Sequence, residues 1–148
     1  MSQENYKEDS KRWLTQAKAD INAAQGSIRN QNYEWACFQS QQSGEKALKA
    51  LWYYYSFDPW GHSVAKLIQE FPNTEIKKSL SSLLNKAKEL DKLYIPTRYP
   101  NGLPDLTPSE VYTEEEASKA VESSTIILEQ IKKILQNQLR FSYENNKI

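Results

Sequence analysis

Histidine and cysteine are all but missing from this chain: its 148 residues include one of each, His62 and Cys37. A lone cysteine excludes an internal disulfide and any cysteine-built zinc cluster. A lone histidine cannot form a histidine metal cluster, and no H-E-x-x-H pattern occurs. Glycine is scarce as well, at four residues, and neither G-x-G-x-x-G nor G-x-x-x-x-G-K is present. No metal and no cofactor are therefore expected. Charge of one sign is also lacking, since nineteen basic residues face nineteen acidic ones. That balance argues against the domain-wide basic surplus of strong nucleic-acid backbone binders, so any such contact must be a local patch. No apolar run approaches the length of a membrane span, and the opening MSQENYKEDSKRW is too polar for a signal peptide. The expectation is a cytoplasmic protein with no membrane association; the free thiol fits a reducing compartment.

What the chain does have is helical periodicity. Leu14, Ala17, Ile21, Ala24 and Ile28 recur at three- and four-residue steps, with the polar RNQN at 29–32 as a stop. A second helix is expected from Tyr33, with Tyr33, Cys37, Ser40, Gly44, Ala47, Leu51 and Tyr55 on its core face. Small residues in its first half permit close helix packing, and FDPWG at 57–61 breaks it. A short amphipathic piece at 62–71 follows. Ile76, Leu80, Leu83, Ala87 and Leu90 form the next stripe. Prolines at 96, 100, 104 and 108 then forbid an ordinary helix interior across the loop at 94–112. Thr113 and Glu116 make a capping box for a final helix running to about Arg140. The expected fold is all-α, an antiparallel up-and-down four-helix bundle with one additional short helix. It is expected to form one domain over 1–148, with a core of about 10–140.

Three places carry chemistry. Gln42, Lys46, Lys49 and Tyr53 fall on one strip of the second helix, nearly opposite Gly44, Ala47 and Leu51, and Trp35 and Phe38 extend it. Lysines among aromatic rings suit a phosphate with a stacked base. They equally suit a subunit or partner contact, or an ordinary surface with an added packing face. His62 beside the Pro-Gly turn reads as a structural group or a proton carrier. Arg98, in PTRYPNG between prolines and next to Tyr94 and Tyr99, offers a planar fork for phosphate or carboxylate, or pins its own loop to an acid such as Asp91.

Read in order, Ala17, Asp20 and Ile21, then YEWACFQSQQSGEKALKALW, WGHSVAKLI at 60–68 and LDKLYIPTRYP at 90–100 resemble the HEPN domain family, named for higher eukaryotes and prokaryotes nucleotide binding. The likeness is closest to the prokaryotic branch encoded beside minimal nucleotidyltransferases. It implies a helical bundle that forms a homodimer, and it singles out Gln42, Glu45, Lys46, Lys49, His62, Tyr94, Arg98 and Tyr99. It also implies binding of a nucleotide or RNA, a place in a toxin–antitoxin pair, or a substrate-binding role for a nucleotidyltransferase. In that reading Lys46, Lys49 and Arg98 neutralise phosphates. Tyr94, Tyr99 or Tyr53 stacks a base, and His62 donates a hydrogen bond. Ribonuclease members carry an Arg-x4-6-His motif, and no arginine stands at that spacing before His62. The expectation is a non-catalytic binding module. The alternatives are a protein-interaction subunit, or an RNase toxin with a rearranged site.

Overall fold

The computed structural model describes residues 2–145, with side chains through Arg140; Met1 and residues 146–148, the ends of the expected 1–148 unit, lie outside them. Among the described residues there are only helices and loops, as the periodicity predicts. Helix α1 (Gln3–Arg29) and α2 (Tyr33–Tyr54) form a hairpin, α3 (Val64–Gln69) packs against α2, and α4 (Thr74–Leu80) and α5 (Leu84–Asp91) follow. After α6 (Pro108–Val111), α7 (Glu114–Asn145) closes a four-limbed antiparallel bundle.

The hairpin turns in three residues because Gln31 takes a left-handed φ of 64° and Asn32 N–H donates to Ser27 O. Small side chains then let α1 and α2 touch. Ser10 Oγ donates to Ala50 O and Ser43 Oγ to Ala17 O, each at 2.7 Å. Buried hydroxyls at such positions satisfy themselves without holding the helices apart.

The third limb departs from expectation. Its apolar stripe is continuous in sequence, yet a 3-10 turn at Ser81–Leu83 separates α4 from α5. Ser79 and Ser81 donate back to the carbonyls of Ile76 and Lys78, the local competition by which serine tightens and bends a helix. The final helix begins where expected: Thr113 Oγ1 accepts from Glu116 N–H while Glu116 Oε2 accepts from Thr113 N–H. It continues to Asn145, one turn beyond Arg140.

α2 is the central element, and the seven-residue stripe understates it. Ala36, Gln41, Ser43, Glu45, Leu48, Lys49, Ala50 and Trp52 are buried as well, whereas Tyr33 and Tyr55 at its ends are only half-buried. Trp52 ties it to α3, its indole N–H donating to Leu67 O at 3.0 Å and its ring packing on Phe71 at 5.6 Å. The proline segment is ordered by prolines at the starts of turns: Pro100 opens a 3-10 turn and Pro108 opens α6 behind a Thr107–Glu110 capping box.

Gly44 lies where α2 meets α5 and α7, so that a β-carbon there would sit 2.9 Å from Leu90 Cδ1 and 3.6 Å from Ser124 Oγ. Gly26 has only the tip of Arg29 nearby, at 3.6 Å. Gly44→Ala is expected to destabilise by about 1 kcal/mol despite alanine's better helix propensity, and Gly26→Ala to stabilise by about 0.5–1 kcal/mol. Urea unfolding of both variants checks the opposite signs. Cys37 is buried, and desolvation, followed by the Glu116 and Glu34 carboxylates, pushes its thiol up to about 12. A thiol reagent at neutral pH is expected to leave the native protein unmodified and to label it fully once unfolded.

Candidate functional site

Apart from Trp35, which is 47% exposed, the strip along α2 is buried or half-buried. Lys46 pairs with Asp20 of α1. Lys49 is buried, its ammonium 3.0 Å from Glu45 Oε2 and 5.4 Å from the centre of the Trp13 ring. Gln42 is half-buried and donates from Nε2 to Gln41 Oε1 at 2.8 Å. Tyr53 is half-buried in the same helix contact, its ring 5.7 Å from Trp13 and 6.4 Å from Tyr6. Burial, with the nearby Asp9 and Asp58 charges, holds its phenol above the ordinary range. Tyr53 is thus a packing group rather than a free stacking ring.

Glu45 is the hub. Its carboxylate is buried, accepts from Lys49 Nζ and from Gln41 Nε2 at 3.3 Å, and lies 3.4 Å from His62 Nδ1. Gln41, with no exposed surface, uses the same Nε2 to hold His62 O at 3.0 Å. Gln41, Glu45 and Lys49 stand at i, i+4 and i+8, one row of a helix. The structure therefore joins His62 to the lysine row through α2. The His62 side chain itself is 60% exposed, free on its outer edge.

A second element orients the histidine turn. Asp91, at the end of α5, accepts from Ser63 Oγ at 2.6 Å and from the backbone N–H groups of Val64 and Ala65. That carboxylate caps α3 and is not the partner of Arg98, so the Asp91 pairing that the sequence left open as one alternative is not formed. Unpaired N–H groups at a helix start claim a nearby carboxylate strongly.

Arg98 is held by rings instead. Its guanidinium carbon lies 4.4, 4.6 and 5.1 Å from the ring centres of Phe38, Tyr94 and Tyr99, and its Nε donates to Tyr94 O at 2.9 Å. Among the described residues no carboxylate comes within ion-pair reach of it. Thr97, buried and donating to Leu93 O, anchors this turn. His62 stacks on Tyr94 with centres 4.9 Å apart and planes at 17°. Trp35, Phe38, Tyr94 and His62 consequently form a continuous aromatic run with Arg98 lying on it.

Contacts link five of the candidates, Lys49 to Glu45, Glu45 to His62, His62 to Tyr94 and Tyr94 to Arg98, while Lys46 turns aside to Asp20. They do not gather into one cleft. A recess of about 190 Å³ is lined by His62, Ser63, Asp91 and Tyr94. Another, of about 310 Å³, is lined by Arg12, Trp13, Gln16 and Lys46. Gln41 and the true role of Asp91 are missed from sequence. The i, i+4, i+8 row of Gln41, Glu45 and Lys49 is the signal that could have found the first.

Removing one member of a buried ion pair strands the other. Glu45→Ala is therefore expected to cost about 3–5 kcal/mol, and adding Lys49→Met to restore more than half of that. Chemical denaturation of the single and double variants checks the coupling; additive losses would refute it.

The comparisons agree with this architecture. The model of the HEPN domain matches residues 10–134. A solved structure from Thermus thermophilus superposes with a TM-score of 0.78 at 37% identity, covering 84% of this chain and 96% of that one. An archaeal HEPN homologue gives 0.70 at 34%, covering 84% and 95%. A HEPN domain protein of Thermotoga maritima gives 0.63 at 30%, covering 84% and 98%. Human sacsin is 27% identical over 139 residues, which is 88% of this chain and only 3% of sacsin. With a bundle of this form and a family match across most of its length, this chain belongs to the HEPN domain family.

Proposed function

We propose that this protein is a non-catalytic module that binds a nucleotide or nucleic acid on the His62–Tyr94–Arg98 face, by itself or as the substrate-binding partner of a separately encoded minimal nucleotidyltransferase. The observation that carries the reading is the state of Arg98. Its guanidinium is positioned by three rings and one backbone hydrogen bond, yet has no carboxylate partner among the described residues. A cation fixed in place with its terminal N–H donors uncommitted is suited to a phosphate, which it meets bidentately. His62 has an exposed outer edge, and Tyr99 is 49% exposed, so one can donate to the ligand and the other stack a base. Lys46 borders the neighbouring recess but is already paired with Asp20. Lys49 is buried and neutralised by Glu45, so its role is to hold the site rather than to meet phosphate.

A second reading, a protein-interaction subunit that includes the homodimer, has its own support. Trp60 is 89% exposed two residues from His62, and Ile95 and Leu106 are also open to solvent. Rings bared beside a polar site are common at subunit contacts. The cytoplasm is the compartment both readings assume.

Titration of the purified protein with ATP, GTP and a short single-stranded RNA separates the readings. Saturable binding is expected, weakened by about tenfold or more in Arg98→Ala at unchanged melting temperature, and only partly restored by Arg98→Lys, which lacks the fork. Absence of binding together with a dimer that Trp60→Ser dissociates supports the interaction subunit. Cleavage of the RNA that is lost in His62→Ala would refute the non-catalytic assignment.

A further inference from the structure

Away from the site just described, a groove of about 270 Å³ runs between the first half of α1 and the last described turns of α7. Its floor is apolar: Leu14 and Leu135 lie in it, the latter 7% exposed, with the Tyr54 ring beside them and Leu139 on the wall, 58% exposed. Its rim is cationic. Lys7, Lys11 and Lys18 come from α1 and Lys132 from α7, and among the described residues no carboxylate lines the groove. In a chain whose charges cancel overall, four lysines lining one apolar furrow, with no acid among its described lining residues, is a local excess.

Those lysines are poorly engaged. Lys11 and Lys132 make only within-helix pairs with Glu8 and Glu129, at 3.7 and 3.2 Å, whose acids are largely exposed. Such pairs contribute little and exchange readily for a better partner. Lys7 rests over the Tyr54 ring at 5.5 Å, and Lys18 has no ion pair among the described residues.

We infer that this groove seats an acidic amphipathic helix from a partner protein. Lys7, Lys11, Leu14 and Lys18 are spaced by three or four residues, so they form one ridge of α1, roughly 16 Å long at the α-helical rise. Lys132, Leu135, Gln136 and Leu139 form the facing ridge of α7. Two ridges with an apolar furrow between them receive the side chains of a third helix, its leucine-type residues entering at i, i+4 and i+7. Glutamates or aspartates flanking that stripe meet the lysine rim, and the charge selects the partner and its orientation. A flat bilayer does not reach Leu14 and Leu135 at the bottom of a furrow, whereas projecting helix side chains do. Nucleic acid would engage the lysines but leave the apolar floor unused. This surface is independent of the Arg98 face and stands or falls separately from it.

The test uses the full chain and a fluorescein-labelled designed peptide of about 20 residues, with leucines on one helical face and glutamates flanking them. Its isomer with lysine in place of every glutamate is the control. Fluorescence anisotropy is expected to show saturable binding of the glutamate peptide and affinity about tenfold or more lower for the lysine peptide. Lys18→Glu combined with Lys132→Glu leaves the rim with two cations and two anions and should abolish that preference, and Leu139→Asp should weaken the glutamate peptide by about tenfold or more. Lys18 and Leu139 lie on the surface and Lys132 is half-buried, and circular dichroism confirms that the variants are folded. Failure of the wild-type protein to bind the glutamate peptide, equal affinity for both peptides, or insensitivity to both sets of variants would overturn the inference. So would co-sedimentation with phosphatidylserine vesicles that is lost in Lys18→Glu, which would assign the rim to a membrane instead.

Discussion

A carboxylate buried halfway along the central helix has to be met by donors from within the protein, because water cannot reach it. Glu45 is that group. Lys49 and Gln41, one turn either side on α2, satisfy its oxygens, and the His62 turn closes over them. This arrangement makes demands on everything around it. Trp13 of α1 must cover the lysine, Gln41 must hold the backbone of the 60–63 turn, and Asp91 must cap α3 so that the turn stays in place. The polar row and the apolar core are therefore parts of one packing solution. Gly44, Ala47 and Leu51 bring α2 against its neighbours, and the same closeness buries the adjoining polar row.

The consequence for function lies in how the cations are divided. Two lysines that are conspicuous in the sequence are consumed by acids in the fold, one with Asp20 and one with Glu45. Arg98 is not. Its charge is balanced by ring faces, which attract a cation without occupying its hydrogen-bond donors. A guanidinium prepared in this way retains its capacity to bind an anion, and the proline-bounded turn limits how far it can move. The lysines around the α1–α7 groove keep theirs for a different reason: exposed pairs along a single helix are weak.

Much of the scaffold is legible from sequence because it rests on local rules. The end of α1 at Arg29, the start of α2 at Tyr33 and the capping box of Thr113 and Glu116 follow from turn and cap chemistry within a few residues. The break at Ser81–Leu83 is hidden in the sequence because the apolar stripe from Ile76 to Leu90 is continuous across it, and the serines that tighten the turn also fit an exposed helix surface. Nearness along the chain points Asp91 toward Arg98. The competing claimant, the start of α3, is distant in sequence and adjacent only in space. The candidate face is legible as residue types, in the rings and Arg98 of PTRYP, but not as an arrangement.

By itself, then, the sequence determined the four main helical limbs, the ends marked by turn and cap chemistry, the all-α bundle and the absence of the familiar cysteine, histidine and glycine motifs. Each of these depends on composition or on neighbours within a turn or two. The tertiary structure decided which polar groups meet. It paired Lys46 with Asp20 and Lys49 with Glu45, gave Asp91 to α3, and left Arg98 against aromatic rings with no carboxylate partner among the described residues. Ion pairing depends on distance through space and on burial, both set by how the helices cross, and residues 26 to 28 positions apart can be the ones that touch.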